Sequence, residues 1–211
     1  MHISKKKILV LAAHPDDESF GCGGFIKKMS ANNNIGVVSF TNGVGARNKN
    51  TKKHILQRKK SSENASKILG FRWIKQFDYP DNEMDGVSIL KIVKDIEKIK
   101  KKFKPEIVLT HNFTDLNIDH RIVAEASLTA FRPEPNEYLE TFLTFEVPSS
   151  TDFRILKKNK NFIPNYFVNI QKVVKHKIKA IKAYKGEYKK YPHSRSLNGI
   201  NNLSKIRGNQ C

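Results

Sequence analysis

The sequence predicts an α/β fold in which a mostly parallel sheet carries helices on both faces. Short apolar runs typical of buried strands alternate with longer segments that have the apolar spacing of helices. Because parallel strands need a crossover connection, this alternation favours successive βαβ units. At 211 residues, with 38% hydrophobic residues, the chain is long enough for one core, and we expect a single domain over 1–211.

The strands are expected at apolar runs, and the helices at the segments between them. The expected strands are 8–13, 35–41, 73–77 and 106–111, with weaker candidates at 141–147 and 165–170. The expected helices are about 22–32, 51–69, 87–103, 120–131 and 171–189. Gly70 follows the second helix, where glycine commonly ends a helix, and Pro105 follows the lysine-rich end of the third.

The chain carries a large excess of basic residues. Its net charge of +19 and pI near 9.9 would suit a nucleic-acid partner, because clustered basic residues displace counterions from phosphates. However, 31 lysines stand against 8 arginines, and the arginine and aromatic enrichment of base-reading surfaces is absent. We therefore expect no nucleic-acid partner. The basic surface instead favours an anionic substrate or peripheral contact with anionic lipid.

Several features predict a protein of the reducing cytoplasm. No apolar segment approaches the roughly 20 residues that a membrane-spanning helix needs. The start of the chain superficially resembles a secretion signal, but its apolar core of six residues runs directly into charged residues. The two cysteines, Cys22 and Cys211, provide neither a disulfide framework nor a cysteine-based zinc site. The sequence predicts no oligomeric state.

Polar clusters follow four of the expected strands. They lie at 14–18, 42–43, 78–81 and 111–120. Ligands of an open α/β sheet bind outside the carboxyl ends of its strands. Any one of these clusters could be an ordinary loop, but together they predict a single site at one edge of the sheet.

The segment 13–18 reads Ala-His-Pro-Asp-Asp-Glu and places one imidazole and three carboxylates behind the first strand. Neighbouring carboxylates raise one another's pKa unless a cation offsets their charge, so the cluster predicts a metal. His14 and Asp17 can face one ion, and a third ligand is expected from 115–121. Two histidines and one carboxylate are typical of hydrolytic zinc sites, in which an unligated Asp16 could accept a proton from the activated water.

These residues resemble the PIG-L/LmbE-like family of metal-dependent N-deacetylases, which have a Rossmann-like fold and act on N-acetylated amino sugars and their conjugates. The resemblance covers most of the chain and rests on 13–18, 41–43, Arg58, 79–84, 105–111 and 119–120. It implies that His14, Asp17 and His120 hold Zn²⁺. It also implies that Asp16 is the general base.

The resemblance further assigns substrate contacts to Arg58 and Asp81. One position departs from the family pattern, because many members have a histidine three residues before the last metal ligand and this chain has Asn117. An asparagine can donate a hydrogen bond to an oxyanion but cannot supply a proton near neutral pH. We therefore expect Asn117 to stabilise the oxyanion and His193 to act as the acid.

Three further residues are expected around the site. Arg195 lies in the same polar cluster as His193 and is a candidate ligand for a substrate phosphate or carboxylate, unless both simply occupy a surface loop. Glu18 and Asp119 are expected to orient the metal ligands. Relatives often continue past an Arg-Gly stretch like 207–208, which leaves open whether the C-terminal end of the domain is complete.

The leading hypothesis is a hydrolase that acts on a small-molecule or glycoconjugate substrate bearing an acetamide, with Zn²⁺ or another divalent ion such as Fe²⁺. The alternative is a non-catalytic binding protein on the same scaffold that recognises an anionic glycan or lipid. An unligated Asp16 beside the metal argues against a binding protein, which does not need it. A third hypothesis, an iron oxygenase with the same ligand count, is disfavoured by the parallel α/β pattern.

Overall fold

Five parallel strands form the central sheet of the computed structural model, which describes residues 3–46, 52–135, 137–154 and 161–211. The strands are β1 (Lys7–Ala12), β2 (Asn34–Thr41), β3 (Arg72–Tyr79), β4 (Ile107–His111) and β5 (Thr141–Phe145). Their order is β3-β2-β1-β4-β5, and every neighbouring pair is parallel. The predicted fold is confirmed, together with five of the six expected strands.

Helices connect the strands and cover both faces of the sheet. They are α1 (Asp17–Phe20), α2 (Gly23–Met29), α3 (Lys52–Leu69), the 3₁₀ helix Met84–Gly86, α4 (Ile89–Phe103), α5 (Ile118–Ala130), α6 (Val174–Ala183) and α7 (Leu197–Gly208). Alternate residues of β1 pack into two hydrophobic cores, one on each face of the sheet. Ile8 and Val10 pack with α2, α3 and α6, whereas Leu9 and Leu11 pack with α4 and α5. In the described ranges, no helix combines the length and apolar character needed to span a bilayer.

The helix expected at 51–69 corresponds to α3, although residue 51 itself lies outside the described residues. Two expectations for the C-terminal third are wrong. The segment 165–170 is not a strand. Its apolar Ile170 packs instead against Gly24 of α2, so closely that a Cβ atom at position 24 would lie 2.8 Å from the Ile170 side chain. The helix expected at 171–189 is shorter, and after it the chain turns through Gly186, whose φ of +91° favours glycine.

The sequence pattern does not predict α7, because residues 198–211 are mostly polar. The Ser196 hydroxyl caps the first turn of this helix. Ile200 is buried, and Arg207 bonds both carboxylate oxygens of Glu146 at 2.8 and 2.6 Å. These contacts fix the chain segment that precedes α7 beside the carboxyl end of the sheet.

Candidate active site

A cleft of about 170 Å³ opens at the carboxyl edge of the sheet, where ligands of α/β folds bind. The structure brings most of the predicted site residues to its wall. Those that line it are His14, Asp16, Asp17, Arg58, Asp81, Asn117, His120 and Arg195. Glu18, Asp119 and His193 do not line the cleft.

Three ligand atoms on this wall, which we call the ligand triangle, come from His14, Asp17 and His120. His14 Nδ1 lies 3.1 Å from Asp17 Oδ2 and 3.3 Å from His120 Nε2, and the last two atoms are 3.2 Å apart. In a tetrahedral zinc site with bonds of about 2.0–2.1 Å, neighbouring ligand atoms are about 3.3 Å apart. The donor set and its spacing therefore fit a zinc ion with one open coordination position.

The electrostatics of the ligand triangle also favour a cation. Burial opposes the charged form of His120, yet Asp17 and Asp115 raise its pKa to about 9. Burial likewise opposes protonation of His14, but Asp17 raises the pKa of His14 well above its ordinary value. Conversely, burial would raise the pKa of Asp17, but His120 and His14 hold it well below its usual range. Positive charge, on protons or on a metal ion, is therefore strongly stabilised here.

Asp115 contacts His120 on the side of the imidazole that faces away from the cleft, a role that is not predicted from the sequence. Its Oδ1 lies 3.2 Å from His120 Nδ1. Ser150 and Thr151 donate hydroxyl hydrogen bonds to the same carboxylate, the second at 2.6 Å. Burial would raise the pKa of Asp115, but His120 and these hydroxyls lower it to about 2. The carboxylate therefore fixes the imidazole with Nε2 toward the cleft.

Asp119 supports His14 in a comparable way. Its Oδ2 lies 3.3 Å from His14 Nε2, and its two oxygens accept the backbone N–H groups of Asn82 and Met84 at 2.7 and 3.2 Å. Asp81 Oδ1 also lies 3.1 Å from His14 Nε2, so these carboxylates form a second group of potential metal ligands. However, both oxygens of Asp119 already bind the backbone, and its position suits the orienting role predicted for it.

Asp16 lies on the cleft wall against two arginines. Its Oδ2 accepts a hydrogen bond from Arg195 Nη2 at 2.7 Å and lies 3.5 Å from Arg58 Nη1. Burial raises the pKa of Asp16 above its ordinary value, although Arg195 and Arg58 oppose the rise. Its φ of 152° is a strained conformation for a residue other than glycine. The fold therefore holds this carboxylate, which is not part of the ligand triangle, in a fixed place on the same cleft wall.

Arg58 connects the loops after β1 and β2 with the C-terminal region. It donates hydrogen bonds to the carbonyl oxygens of Pro15 and Gly43 at 2.8 and 3.1 Å, and it pairs with Glu187. Glu187 is buried and lines the cleft, although it is not among the site residues predicted from the sequence. Its only signal in the sequence is that it is the single acidic residue of the lysine-rich stretch 171–190.

Glu18 braces the turn that carries Asp16. Its Oε2 accepts the Asp16 N–H at 3.0 Å, and its Oε1 accepts the hydroxyls of Ser19 and Tyr184 at 2.7 and 2.8 Å. Burial raises the pKa of Glu18 to about 7, although the hydrogen bonds from Ser19 and Tyr184 oppose this rise. This geometry suits the orienting role predicted for Glu18.

We expect Tyr184→Phe to lower the free energy of unfolding by about 1–3 kcal/mol, because it removes one of two donors to a buried carboxyl oxygen. Tyr184 is 1% exposed, so bulk water has no access to replace the lost hydroxyl. Tyr138→Phe is the matched control, since that residue is 57% exposed. Urea unfolding of both variants measures the difference, and equal free energies would contradict the bracing role of Tyr184.

Asn117 caps α5. Its Oδ1 accepts the N–H groups of Asp119 and His120 at 2.8 and 3.3 Å, and its Nδ2 donates to Asn82 Oδ1 at 2.8 Å. Because the side-chain amide carries two N–H groups, one of them remains beyond the bond to Asn82. Asn117 therefore fixes the start of the helix that carries His120 and also faces the cleft.

His193 supports Arg195. Its Nδ1 accepts the backbone N–H of Arg195 at 3.0 Å, and its ring packs against Phe153 with centroids 5.7 Å apart. The Arg195 guanidinium lies 3.9 Å above the ring of Phe20 and reaches Asp16. Because His193 does not line the cleft, its position does not suit the proton donor predicted from the sequence.

The sequence matches a family model and several proteins named as deacetylases. The model of the PIG-L family, described as GlcNAc-PI de-N-acetylase, matches residues 9–131. The chain is also 29% identical over 196 residues to the diacetylchitobiose deacetylase of Thermococcus kodakarensis, across 87% of this chain and 70% of that protein. The family match includes the whole ligand triangle.

Several solved structures share the fold, and two of them are enzymes of different activity. The N,N'-diacetylchitobiose deacetylase of Pyrococcus horikoshii aligns with a TM-score of 0.77 at 22% identity, covering 97% of this chain and 79% of that one. GalB of Pseudomonas putida, a 4-carboxy-2-hydroxymuconate hydratase, aligns with a TM-score of 0.71 at 20% identity, covering 97% and 87%. Because these two enzymes differ in activity, the fold alone does not define the reaction, which has to be argued from the site.

Proposed function

The chain belongs to the PIG-L family, and on that basis we propose that it is a zinc-dependent hydrolase that removes the acetyl group from an N-acetylated amino sugar or its conjugate. The observation that carries this proposal is the ligand triangle with the unligated Asp16 on the same cleft wall. Two histidines, one carboxylate and a nearby free carboxylate are the parts that hydrolysis by activated water requires.

In the proposed reaction, His14, Asp17 and His120 would hold a zinc ion, which would supply a Lewis acid for the amide carbonyl and for the attacking water. Asp16 accepts the proton of the attacking water. Arg195 and Arg58 favour its ionised form before the transfer and hold the carboxylate in place. The same carboxyl group then returns the proton to the leaving amine, so the role predicted for His193 is reassigned to Asp16. Asn117 donates its remaining N–H to the developing oxyanion.

An amino sugar is the proposed substrate because the similar protein from Thermococcus kodakarensis is named for a substrate that contains N-acetylglucosamine units. Arg58 and Asp81 line the cleft and are proposed to contact the sugar. The cytoplasmic location expected from the sequence stays a prediction, which cell fractionation tests.

We expect the zinc-loaded protein to release acetate from at least one member of a panel of N-acetylated sugars, and we expect chelation to stop the release. Re-addition of Zn²⁺ should restore it, because the ligand triangle retains its donors. A coupled enzymatic assay for acetate measures the rate, and metal analysis of the purified protein identifies the native ion. Restoration by Fe²⁺ but not by Zn²⁺ would reassign the metal.

The same assay separates the hydrolase from the binding protein on this scaffold. Acetate release that depends on the metal and on Asp16 contradicts the binding alternative. Conversely, a protein that is fully metal-loaded, binds N-acetylated sugars and releases no acetate from any panel member would contradict the hydrolase.

A further inference from the structure

His111, the last residue of β4, is fully buried and does not line the cleft, yet it contacts both chain segments that supply the ligand triangle. Its Nε2 lies 2.8 Å from the backbone nitrogen of Ala13, the residue before His14. Its ring stacks on that of His120, with the ring centroids 3.8 Å apart and an angle of 15° between the planes. One side chain therefore connects the turn after β1 with the first turn of α5.

The hydrogen bond with Ala13 fixes the tautomer of the His111 ring. Because the Ala13 N–H is a donor, His111 Nε2 accepts it through a lone pair and carries no hydrogen itself. The ring is therefore neutral, with its hydrogen on Nδ1. The distance of 3.5 Å from His111 Nε2 to Asp17 Oδ2 consequently joins two acceptors and is not an ion pair.

The backbone N–H of Ala13 depends on this imidazole. Ala13 is 0% exposed, and His111 Nε2 is the one partner of its N–H in the part of the chain that the structure describes. The Ala13 carbonyl oxygen accepts the N–H groups of Phe40 and Thr41 at 3.1 and 2.9 Å, which joins the same residue to β2. A buried donor without an acceptor costs free energy, so loss of the His111 ring would loosen the turn that carries His14.

The stacked rings restrain the plane of His120. Asp115 contacts the edge of this imidazole, 3.2 Å from Nδ1, whereas His111 covers one face of it. The buried ring of Phe145 packs in turn against His111, with centroids 4.8 Å apart. Because an edge contact alone lets a ring tilt, the stacked face is needed to fix the direction of His120 Nε2. A neutral ring suits this place, since a second cation stacked on His120 would oppose zinc binding.

The imidazole occupies this position at an energetic cost. His111 Nδ1 is buried, and among the described residues it has no hydrogen-bond partner. A phenylalanine would stack on His120 without that cost, but it would leave the Ala13 N–H unpaired. Histidine meets both requirements, because it offers a flat ring and an acceptor at Nε2.

We propose that His111 is a positioning residue of the zinc site, which holds His14 and His120 at the spacing that zinc needs. It acts through its hydrogen bond with Ala13 and its stacking on His120. The two histidines of the ligand triangle are 106 residues apart in the chain, so no local turn sets the distance between them. This proposal rests on the proposed zinc-dependent function, and its first consequence concerns zinc affinity rather than rate.

Three substitutions separate the two contacts of His111. His111→Leu removes both the acceptor and the flat ring, and we expect zinc affinity to fall about 10–100-fold, as for other residues that orient metal ligands. His111→Gln places an amide oxygen near the position of Nε2 and keeps the acceptor, whereas His111→Phe keeps the stacked ring. Each should retain part of the affinity that His111→Leu loses. Competition with a chromogenic chelator measures the affinity of each folded protein.

Val108→Ala is the matched control, because Val108 is a fully buried residue of β4 that packs into the hydrophobic core beside α4 and α5. It should lower the thermal unfolding temperature without changing zinc affinity. Substitution of Co²⁺ for zinc gives a second readout, since its visible absorption reports the geometry of the ligands. The cobalt spectrum should change in His111→Leu and stay unchanged in Val108→Ala.

Wild-type zinc affinity in all three folded His111 variants would overturn the positioning role and leave the proposed hydrolase intact. An equal loss of affinity in Val108→Ala and His111→Leu would also overturn it, because loss of packing would then explain the effect. Should His111→Leu fail to fold, His111→Gln and His111→Phe carry the same comparison.

The wild-type protein separates this proposal from the proposed function. A wild type that binds zinc with the expected dependence on His111 but releases no acetate would contradict the hydrolase alone. A wild type that binds no zinc would contradict the zinc site and the positioning role together.

Discussion

Asp16→Asn is expected to slow acetate release by about 10²–10⁴-fold while the protein retains its metal. The substitution keeps the size and shape of the side chain but removes its ability to accept a proton from water. Asparagine also tolerates unusual backbone conformations about as well as aspartate, so the φ of 152° should persist. The amide oxygen can still accept the hydrogen bond from Arg195. The variant thus isolates proton transfer from the architecture of the site.

Asp85→Asn provides the control for this experiment, because Asp85 is an exposed acid in the 3₁₀ helix and does not line the cleft. Its rate and metal content should match those of the wild type. The measurement is the initial rate of acetate formation at saturating substrate, together with zinc content by elemental analysis. An Asp16→Asn protein that retains its metal and most of its rate would exclude Asp16 as the base.

The central part of the fold is predictable because its signals are local and redundant. The short apolar run 8–12 is typical of a buried strand. The charged residues that follow it cannot pack in the apolar core, so they mark the end of the strand. By contrast, α7 is stabilised by a few distant contacts, such as the pairing of Arg207 with Glu146. Spacing along the chain carries no information on such contacts, so the sequence does not reveal this helix.

The same distinction applies to the site. His14, Asp16 and Asp17 are neighbours in the chain, and strand topology brings His120 to them. Asp115 and Glu187 are harder to predict. Asp115 acquires its role from hydroxyls in the loop after β5, and Glu187 from its pairing with Arg58 across more than a hundred residues. His193 is the reverse case, since the sequence predicts it as the acid but its imidazole accepts the Arg195 N–H and does not line the cleft.

Charge in this molecule is distributed unevenly, and this bears on substrate choice. The chain as a whole has a net charge of +19, yet the cleft wall carries the carboxylates of Asp16, Asp17, Asp81 and Glu187. A basic exterior around an acidic cleft attracts anions to the rim and a cation to the centre. The anionic substrate expected from the basic surface stays a prediction, which the rates of acetate release from neutral and anionic N-acetylated sugars test.

His120→Ala is expected to weaken zinc binding by more than about 100-fold and to abolish acetate release at stoichiometric zinc. The change removes one of three ligand atoms and leaves His14, from the loop after β1, and Asp17, the first residue of α1, as the remaining parts of the ligand triangle. Competition with a chromogenic chelator measures zinc affinity directly. His176→Ala is the control, because His176 is exposed on α6 and should alter neither affinity nor rate.

Comparison of the adjacent residues Asp16 and Asp17 makes this test more stringent. If the ligand triangle is correct, Asp17→Asn weakens zinc binding as His120→Ala does, because a neutral amide replaces the carboxylate shared by both imidazoles. Asp16→Asn, one residue away, should keep the zinc and lose only the rate. Loss of zinc in both Asp variants, or in neither, would contradict the division of roles between the two carboxylates. Their chemical similarity and proximity exclude general charge effects as the cause of a difference.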